Sequence, residues 1–259
     1  MPFADLSDVR IHYSVTGSES APVLALSHSL GANFSMWNPQ LPSFNSHFRL
    51  LRFDTRGHGQ SSVTPGPYSI ELLANDVLHL LDALHIDRTH FCGLSMGGQI
   101  GQWLGIHASQ RLHKLVLCNT GAQIGTPDGW NTRISSVLAR GMKDVSAGII
   151  SRWFTSSFTA AHPDVVASTL KMLESANPQG YTACCVAVRD LDTRQHLSSI
   201  AIPTLVIAGD QDLSTPSADG GFIAGKISGA RFIELSAAHL SNIEAADRFT
   251  MEVEKFLLA

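Results

Sequence analysis

Hydrophobic and polar positions follow a strand pattern and a helix pattern in turn along this chain. Residues 9–15 alternate apolar with polar side chains, which predicts an antiparallel opening strand with one buried face. Residues 22–27 are almost continuously apolar, which is typical of a strand covered by helices on both faces. A further strand is predicted over residues 48–53. Residues 70–84 place apolar side chains three and four positions apart, which predicts a helix.

The same alternation continues to the end of the sequence. Further strands are predicted at residues 90–92, 114–118, 203–208 and 231–235, with helices at residues 100–106 and 242–258. Strands that alternate with helices through short connections build a mostly parallel, twisted sheet flanked by helices. We therefore predict the α/β fold class.

Residues 121–195 interrupt this alternation. Helical spacings occur there without any apolar strand run, and the segment is rich in aromatic residues such as Trp153, Phe154 and Phe158. Such a stretch between two strand-and-helix regions is typical of a helical insertion over the sheet. We expect a core formed by residues 1–120 and 196–259, and a helical lid formed by residues 121–195, which we call the lid.

Composition narrows the possible partners. Of 259 residues, 44% are hydrophobic and 15% are charged, which is typical of a folded chain with a large core. The net charge of -4, without any basic run, disfavours binding to nucleic acid or to an anionic membrane surface. No apolar stretch approaches the length of a membrane span. The start of the chain lacks the pattern of a secretory signal, and the four cysteines show no Cys-x-x-Cys spacing, so we expect reduced thiols in a cytoplasmic protein.

Candidate chemistry concentrates at residues 93–98, Gly-Leu-Ser-Met-Gly-Gly, between a predicted strand and a predicted helix. Gly93 and Gly97 carry no Cβ, so the strand and the helix can approach closely while Ser95 takes a backbone conformation that most residues resist. Such a turn exposes the serine hydroxyl. The Gly-x-Ser-x-Gly spacing alone also occurs in ordinary turns, but its position between strand and helix makes Ser95 the predicted nucleophile.

A serine nucleophile needs a base within hydrogen-bonding reach and an acid that orients the base. Enzymes with the serine on such a turn place serine, acid and histidine in this order along the chain, at the carboxyl ends of strands. Asp212 is the predicted acid because it lies a few positions beyond a late strand. Asp210 is the rival, and its alternative role is a turn carboxylate that bonds loop backbone. Of twelve histidines only His239 follows Asp212, which makes it the predicted base.

Ester hydrolysis also needs donors for the carbonyl oxygen on which negative charge develops. We predict the backbone N–H of Met96, at the positive end of the helix after the nucleophile. The second predicted donor is the backbone N–H of Leu30, in the loop after the strand at residues 22–27. His28 is interpreted as a structural residue of that loop.

Five segments together resemble the α/β-hydrolase fold family across essentially the whole chain. They are an oxyanion loop at residues 28–31, an Asp-x-Arg-Gly-x-Gly-x-Ser loop at residues 54–61, the nucleophile turn at residues 93–98, and acid and histidine loops at residues 209–212 and 238–244. Within the family, residues 117–125 and 130–134 resemble the 3-oxoadipate enol-lactonases of bacterial aromatic catabolism, in the β-ketoadipate pathway.

The resemblance implies a serine hydrolase that opens the lactone ester of 3-oxoadipate enol-lactone through an acyl-enzyme, without a metal ion or an organic cofactor. It also implies a small-molecule substrate with a free carboxylate, for which Arg133 at the start of the lid is the candidate partner. The alternative for Arg133 is a solvated position on a helix face. Trp130, three residues earlier, either lines the pocket or packs in the core of the lid.

Two other functions are compatible with the same residues. A general carboxylesterase or a perhydrolase-like enzyme would use the same three residues, since one fold supports many reactions and only the lid segment points to the lactone. A non-catalytic ligand receptor on this fold would bind without turnover. We expect a carboxylic-ester hydrolase, because Ser95, Asp212 and His239 are all present.

Overall fold

The structure, a computed structural model, describes residues 2–259 and is built around an eight-stranded sheet. The strands are β1 (Phe3–Asp5), β2 (Arg10–Thr16), β3 (Val23–Ser27), β4 (Arg49–Phe53), β5 (Thr89–Leu94), β6 (Leu112–Cys118), β7 (Thr204–Gly209) and β8 (Arg231–Leu235). Their order across the sheet is β1-β2-β4-β3-β5-β6-β7-β8. The pairs β1–β2 and β2–β4 are antiparallel, and all the other neighbours are parallel.

Helices connect successive strands along the chain and cover the sheet. The α-helices are α1 (Leu41–Phe44), α2 (Ile70–Ala83), α3 (Met96–His107), α4 (Pro127–Arg140), α5 (Met142–Trp153), α6 (Ser156–Ala161), α7 (Pro163–Glu174), α8 (Pro178–Asp190), α9 (Ser217–Lys226), α10 (Ser241–Glu244) and α11 (Ala246–Leu258). Short 3-10 helices are Phe34–Gln40, Ser109–Arg111 and Leu197–Ser199. Within residues 2–259, no helix is long and apolar enough to cross a membrane.

Burial on both faces explains the apolar runs of the central strands. Every residue of β5 and of β7 is buried, whereas β8 at the edge of the sheet is mostly exposed. Helix α3 packs against β5 and β6, which accounts for its lack of charged residues. The predicted fold class, a mostly parallel sheet flanked by helices, is therefore confirmed.

Helix α1 and the 3-10 helices are not predicted from the pattern, and three further features differ from it. Strand β1 is too short for its alternation to be recognised, and α9 carries glycine at three of its ten positions, which weakens the helical pattern. The closing helix predicted at residues 242–258 is two helices, because Ala245 leaves the helical conformation with φ −115° and ψ 44°. The Glu244 carboxylate accepts a hydrogen bond from the Ala238 N–H at 2.9 Å, so a contact outside the helix orients α10 separately from α11.

The lid contains the five helices α4 to α8 and no strand. The lid is inserted between β6 and β7, and it begins after the carboxyl end of β6. In a parallel sheet this is the edge at which loops gather to form a site. The four cysteines are buried, with the Sγ atoms of Cys92 and Cys118 3.8 Å apart and no disulfide among residues 2–259.

Candidate active site

The turn between β5 and α3 places Ser95 in a strained backbone conformation, with φ 59° and ψ −113°. A Cβ on Gly93 would lie 2.0 Å from the carbonyl oxygen of Gly97, and a Cβ on Gly97 would lie 2.3 Å from that of Ser27. Only glycine fits at both positions, as the sequence predicts. The strain persists because the surrounding structure holds the turn on several sides.

Besides the first hydrogen bond of α3, from the N–H of Gln99, two hydrogen bonds fix the backbone of Ser95. Its N–H donates to the carbonyl oxygen of Cys118 in β6 at 2.9 Å, and its own carbonyl oxygen accepts from Thr120 Oγ1 at 2.8 Å. Ser95 is 8% exposed and lines a cavity that His239 also lines. Ser95 and His239 therefore meet at the same cavity, as expected for a nucleophile and its base.

His239 and Asp212 form a buried pair. His239 Nδ1 lies 2.8 Å from Asp212 Oδ2, and the side chains are 3% and 0% exposed. Because the carboxylate is ionised, Nδ1 carries the proton and donates it to this bond. His239 Nε2 is then the ring nitrogen without a proton, as the predicted role of a base requires.

The Asp212 carboxylate accepts five hydrogen bonds. Oδ1 accepts from the N–H groups of Ser214 at 2.7 Å and Thr215 at 3.0 Å. Oδ2 accepts from His239, from Thr215 Oγ1 at 2.8 Å and from Asn119 Nδ2 at 3.0 Å. Burial by itself raises the pKa of this carboxyl, but the charge and hydrogen bond of His239, with the other donors, outweigh burial and lower the pKa from 3.8 to about 2.

The rival carboxylate of Asp210 is exposed and lies elsewhere in the loop. It accepts hydrogen bonds from the N–H of Ala237 at 3.2 Å and from Ser236 Oγ at 3.3 Å. Both partners belong to the loop after β8, so the carboxylate joins two loops instead of bonding the backbone of its own loop. Asp212, rather than Asp210, is therefore placed to orient His239.

Two buried histidines support the loop that carries Leu30. His28 Nδ1 bonds the carbonyl oxygen of Ser29 at 2.8 Å, and its Nε2 accepts from the N–H of Thr55 at 2.9 Å, which agrees with a structural role. Burial and the neighbouring His28 lower the pKa of His58 to about 3. His58 is therefore neutral, and its Nε2 accepts the N–H of Gly31 at 2.9 Å.

The N–H of Leu30 lies between two N–H groups that have partners. The N–H of Ser29 donates to a methionine sulfur at 3.3 Å, and the N–H of Gly31 donates to the ring of His58. Within residues 2–259 the N–H of Leu30 has no protein acceptor. The N–H of Met96, at the first position of α3, has no partner inside the helix. Both predicted oxyanion donors are therefore unpaired.

A cavity of about 370 Å³ joins the sheet edge to the lid. Leu30, Ser95 and His239 line it from the core, and residues of α4, α5 and α8 line it from the lid. One of these is Tyr181, whose pKa is raised by burial, so its phenol keeps the proton with which it can donate a hydrogen bond. No group of histidine, cysteine or acidic residues within residues 2–259 is arranged to hold a metal ion.

Arg133 and Trp130 both line this cavity. The Arg133 guanidinium lies 4.7 Å from the centre of the Trp130 ring, a cation–π distance. Trp130 is 8% exposed and donates its Nε1–H to the carbonyl oxygen of Ile124 at 2.6 Å. Trp130 therefore combines the two predicted alternatives, since it packs in the lid and lines the cavity.

Sequence reasoning missed some residues of the site. Arg152, in the last turn of α5, also lines the cavity, and no spacing distinguishes it from other lid arginines. Within residues 2–259, neither Arg133 nor Arg152 has a carboxylate partner within 4.0 Å. Asn119 and Thr215, which bond Asp212, were also not predicted, because their roles depend on distant parts of the chain.

The sheet order, the strained serine turn after β5 and the helical insertion after β6 are together those of a hydrolase built on an α/β sheet. Residues 22–246 match the α/β hydrolase fold family, and the chain belongs to this family.

Within the family the chain is similar to enol-lactonases. It is 40% identical over 247 residues to 3-oxoadipate enol-lactonase 2 of Acinetobacter baylyi, a match that covers 95% of this chain and 92% of the relative. It is 41% identical over 235 residues to 3-oxoadipate enol-lactonase 1 of the same organism, covering 91% and 88%. The solved structure of the enol-lactonase from Burkholderia xenovorans superposes with a TM-score of 0.98, at 42% identity and with 100% of both chains covered.

Proposed function

We propose that this protein is a serine hydrolase that opens the lactone ester of 3-oxoadipate enol-lactone to give 3-oxoadipate, a carboxylic-ester hydrolase of aromatic catabolism. The observation that carries the proposal is the similarity to enol-lactonases over almost the entire chain. The similarity includes the lid, whose residues line the cavity next to Ser95. The lid is the part of this fold in which substrates are distinguished, so similarity there favours a lactone substrate over a general ester.

The first half of the proposed reaction breaks the ring ester. Ser95 Oγ attacks the lactone carbonyl carbon, and His239 Nε2 takes the hydroxyl proton while Asp212 stabilises the imidazolium. The N–H groups of Leu30 and Met96 donate to the carbonyl oxygen as it becomes negative. When the tetrahedral intermediate collapses, the ring oxygen leaves as an enolate and accepts the proton from His239. An acyl-enzyme on Ser95 results.

The second half releases the product. A water molecule attacks the acyl carbonyl while His239 takes one of its protons, and the same two N–H groups hold the oxyanion again. Ser95 leaves and regains its proton from His239. The product carries a new carboxylate, formed from the carbonyl carbon of the lactone.

Arg133 is the proposed partner of the carboxylate that the lactone already carries. The cavity is lined by two arginines and by no acidic residue, so an anionic group is favoured there. Arg133 is half-buried and stacked on Trp130, which limits the entropy it loses on binding. Arg152 is exposed at the end of α5 and is therefore expected to contribute less.

A turnover assay tests the proposed reaction. We expect hydrolysis of 3-oxoadipate enol-lactone with a much higher kcat/KM than hydrolysis of simple aryl esters, and loss of both activities in Ser95→Ala. Thermal unfolding of the variant provides the control for its fold. Preferential hydrolysis of aryl esters would favour the general carboxylesterase. Ligand-induced stabilisation without turnover would favour the receptor.

The carboxylate contact is tested by comparing three arginine variants. Arg133→Ala should raise KM for the carboxylated lactone by about 10- to 100-fold, because a hydrogen bond to a charged group is lost, and should have little effect on a neutral aryl ester. Arg140→Ala is the matched control, since Arg140 is exposed on α4 and paired with Asp144. Equal effects of Arg133→Ala on both substrates, or a larger effect of Arg152→Ala, would contradict the assignment.

A further inference from the structure

Asn119 directly follows β6 and lies between the loops that carry Asp212 and His239. It is fully buried, with φ 43°, a left-handed conformation that asparagine adopts more readily than most residues. Its N–H donates to the carbonyl oxygen of Ile207 in β7 at 2.8 Å. The backbone of Asn119 is thereby held beside the strand that leads to the acid.

The side chain of Asn119 bonds both loops at once. Its Nδ2 donates to Asp212 Oδ2 at 3.0 Å and to the carbonyl oxygen of Ala238 at 3.2 Å. Its Oδ1 accepts from Ser241 Oγ at 2.5 Å. Ala238 comes immediately before His239 and Ser241 comes two residues after it. One amide therefore uses both of its donors and its acceptor to join the acid to the two sides of the histidine.

We propose that Asn119 is a positioning residue that aligns the Asp212 carboxylate with the His239 ring for proton transfer from Ser95. This inference rests on the proposed roles of those three residues. Oδ2 of Asp212 is the atom that accepts from His239 Nδ1, and Asn119 donates to that same atom. Without this amide Oδ2 of Asp212 loses one of its three donors, and the loop that carries His239 loses a hydrogen bond on each side of the ring. Small misplacements of reacting groups lower rates strongly.

Substitution of Asn119 should separate kcat from KM. Asn119→Ala should lower kcat on the lactone by about 10- to 100-fold, the loss expected for one hydrogen bond to a charged group. KM should change by less than about twofold, because Asn119 is absent from the lining of the cavity. A kcat within about twofold of the native value would overturn the proposal.

The pH profile supplies a readout that a purely structural role would not change. Asn119→Asp keeps the shape of the side chain but places a second carboxylate beside Asp212. The added negative charge favours the protonated imidazole of His239, so the acidic limb of the kcat/KM profile should move to higher pH. An acidic limb at the native position would overturn the proposal.

Gln102→Ala is the matched control. Gln102 is an equally buried amide that donates to the carbonyl oxygen of Gly121 at 3.2 Å and accepts from Thr193 Oγ1 at 2.6 Å, away from the acid and the histidine. It should lower the Tm without moving the pH profile. A loss of kcat equal to that of Asn119→Ala at a similar Tm would overturn the proposal.

Ser241→Ala tests the proposal if Asn119→Ala does not fold. It keeps both donors of Asn119 but removes the group that holds its oxygen, and should lower kcat by about two- to tenfold. An unchanged kcat would count against the proposal.

Labelling of Ser95 with an aryl fluorophosphonate tests the role of Asn119 separately from the proposed substrate. Ser95 Oγ forms a bond to phosphorus, fluoride leaves, and His239 takes the serine proton, so the labelling rate depends on the same alignment but not on the lactone. Asn119→Ala should slow labelling by a factor similar to its loss of kcat. If the native protein is labelled but does not open the lactone, the substrate proposal fails, and the relative labelling rates still decide the role of Asn119.

Discussion

Replacing Asp212 with asparagine should lower kcat by about 10,000-fold with little change in side-chain volume. Oδ1 of Asp212 accepts from two backbone N–H groups, so the amide oxygen of the variant takes that position. Its NH₂ group then takes the place of Oδ2 and faces three donors, His239 Nδ1–H, Thr215 Oγ1 and Asn119 Nδ2.

The size of the loss follows from the tautomer of His239. To accept a hydrogen bond from the new amide, Nδ1 must lose its proton, and the ring then carries the proton on Nε2. That nitrogen no longer accepts the proton of Ser95. The expected loss corresponds to roughly 5.5 kcal/mol of transition-state stabilisation, which is far more than one lost hydrogen bond contributes.

The same substitution should also change stability. The pKa of Asp212 lies at about 2 rather than 3.8, so the folded state favours the ionised carboxylate by roughly 2 kcal/mol. Because the folded pKa is depressed, this contribution is complete above about pH 4 and is lost as the pH falls towards 2. Asp212→Asn should therefore be less stable at pH 7 and should lose less stability than the native chain between pH 4 and 2. Urea unfolding measures both differences.

Asp210→Asn is the matched control because it makes the same chemical change in the same loop on an exposed side chain. Its kcat on the lactone should stay within about twofold of the native value, since the Asp210 side chain is exposed and makes no contact with His239. Assays should be run well below the Tm of each variant. Retention of more than about a tenth of the native kcat by Asp212→Asn, or an equal loss in Asp210→Asn, would refute the reasoning.

Two further predictions concern stability. Asp76→Ala should destabilise the fold by about 3–5 kcal/mol in urea unfolding, because the 2%-exposed Arg56 loses a bidentate partner. The exposed ion pair of Arg140 with Asp144 provides the control. A loss of more than about 1 kcal/mol in the free energy of unfolding of Asp144→Ala would contradict the role of burial. Gly97→Ala should cost about 1–3 kcal/mol and lower kcat, because its Cβ would lie 2.3 Å from a carbonyl oxygen of β3. Gly221→Ala, whose Cβ meets nothing within 4 Å, should leave both quantities almost unchanged, and similar losses in the two variants would exclude the steric explanation.

Some of the site could be predicted because chain order and local geometry restrict it. Contacts within one turn and with the adjacent strand require glycine on both sides of Ser95. A short sequence motif is therefore enough to predict this turn. Chain order singles out His239, because it is the only histidine after Asp212. The sequence favours Asp212 over Asp210 because Asp212 lies two residues further beyond the end of the strand. The hydrogen bonds agree, since Asp212 bonds His239 and Asp210 bonds the N–H of Ala237.

Other features depend on residues that are far apart in the sequence. Asn119 meets Asp212 and Ser241 across separations of 93 and 122 residues, and periodicity contains no information about such contacts. Arg152 faces the same cavity as Arg133 only because α4 and α5 pack against each other.

The sequence by itself determined the alternation of strands and helices, the serine turn and the order of the three proposed catalytic residues, because these follow from local periodicity, backbone sterics and chain order. Only the tertiary structure decided which polar groups surround Asp212, which cations face the cavity and where the closing helix breaks. Those features arise from hydrogen bonds and packing between segments that the fold alone brings together.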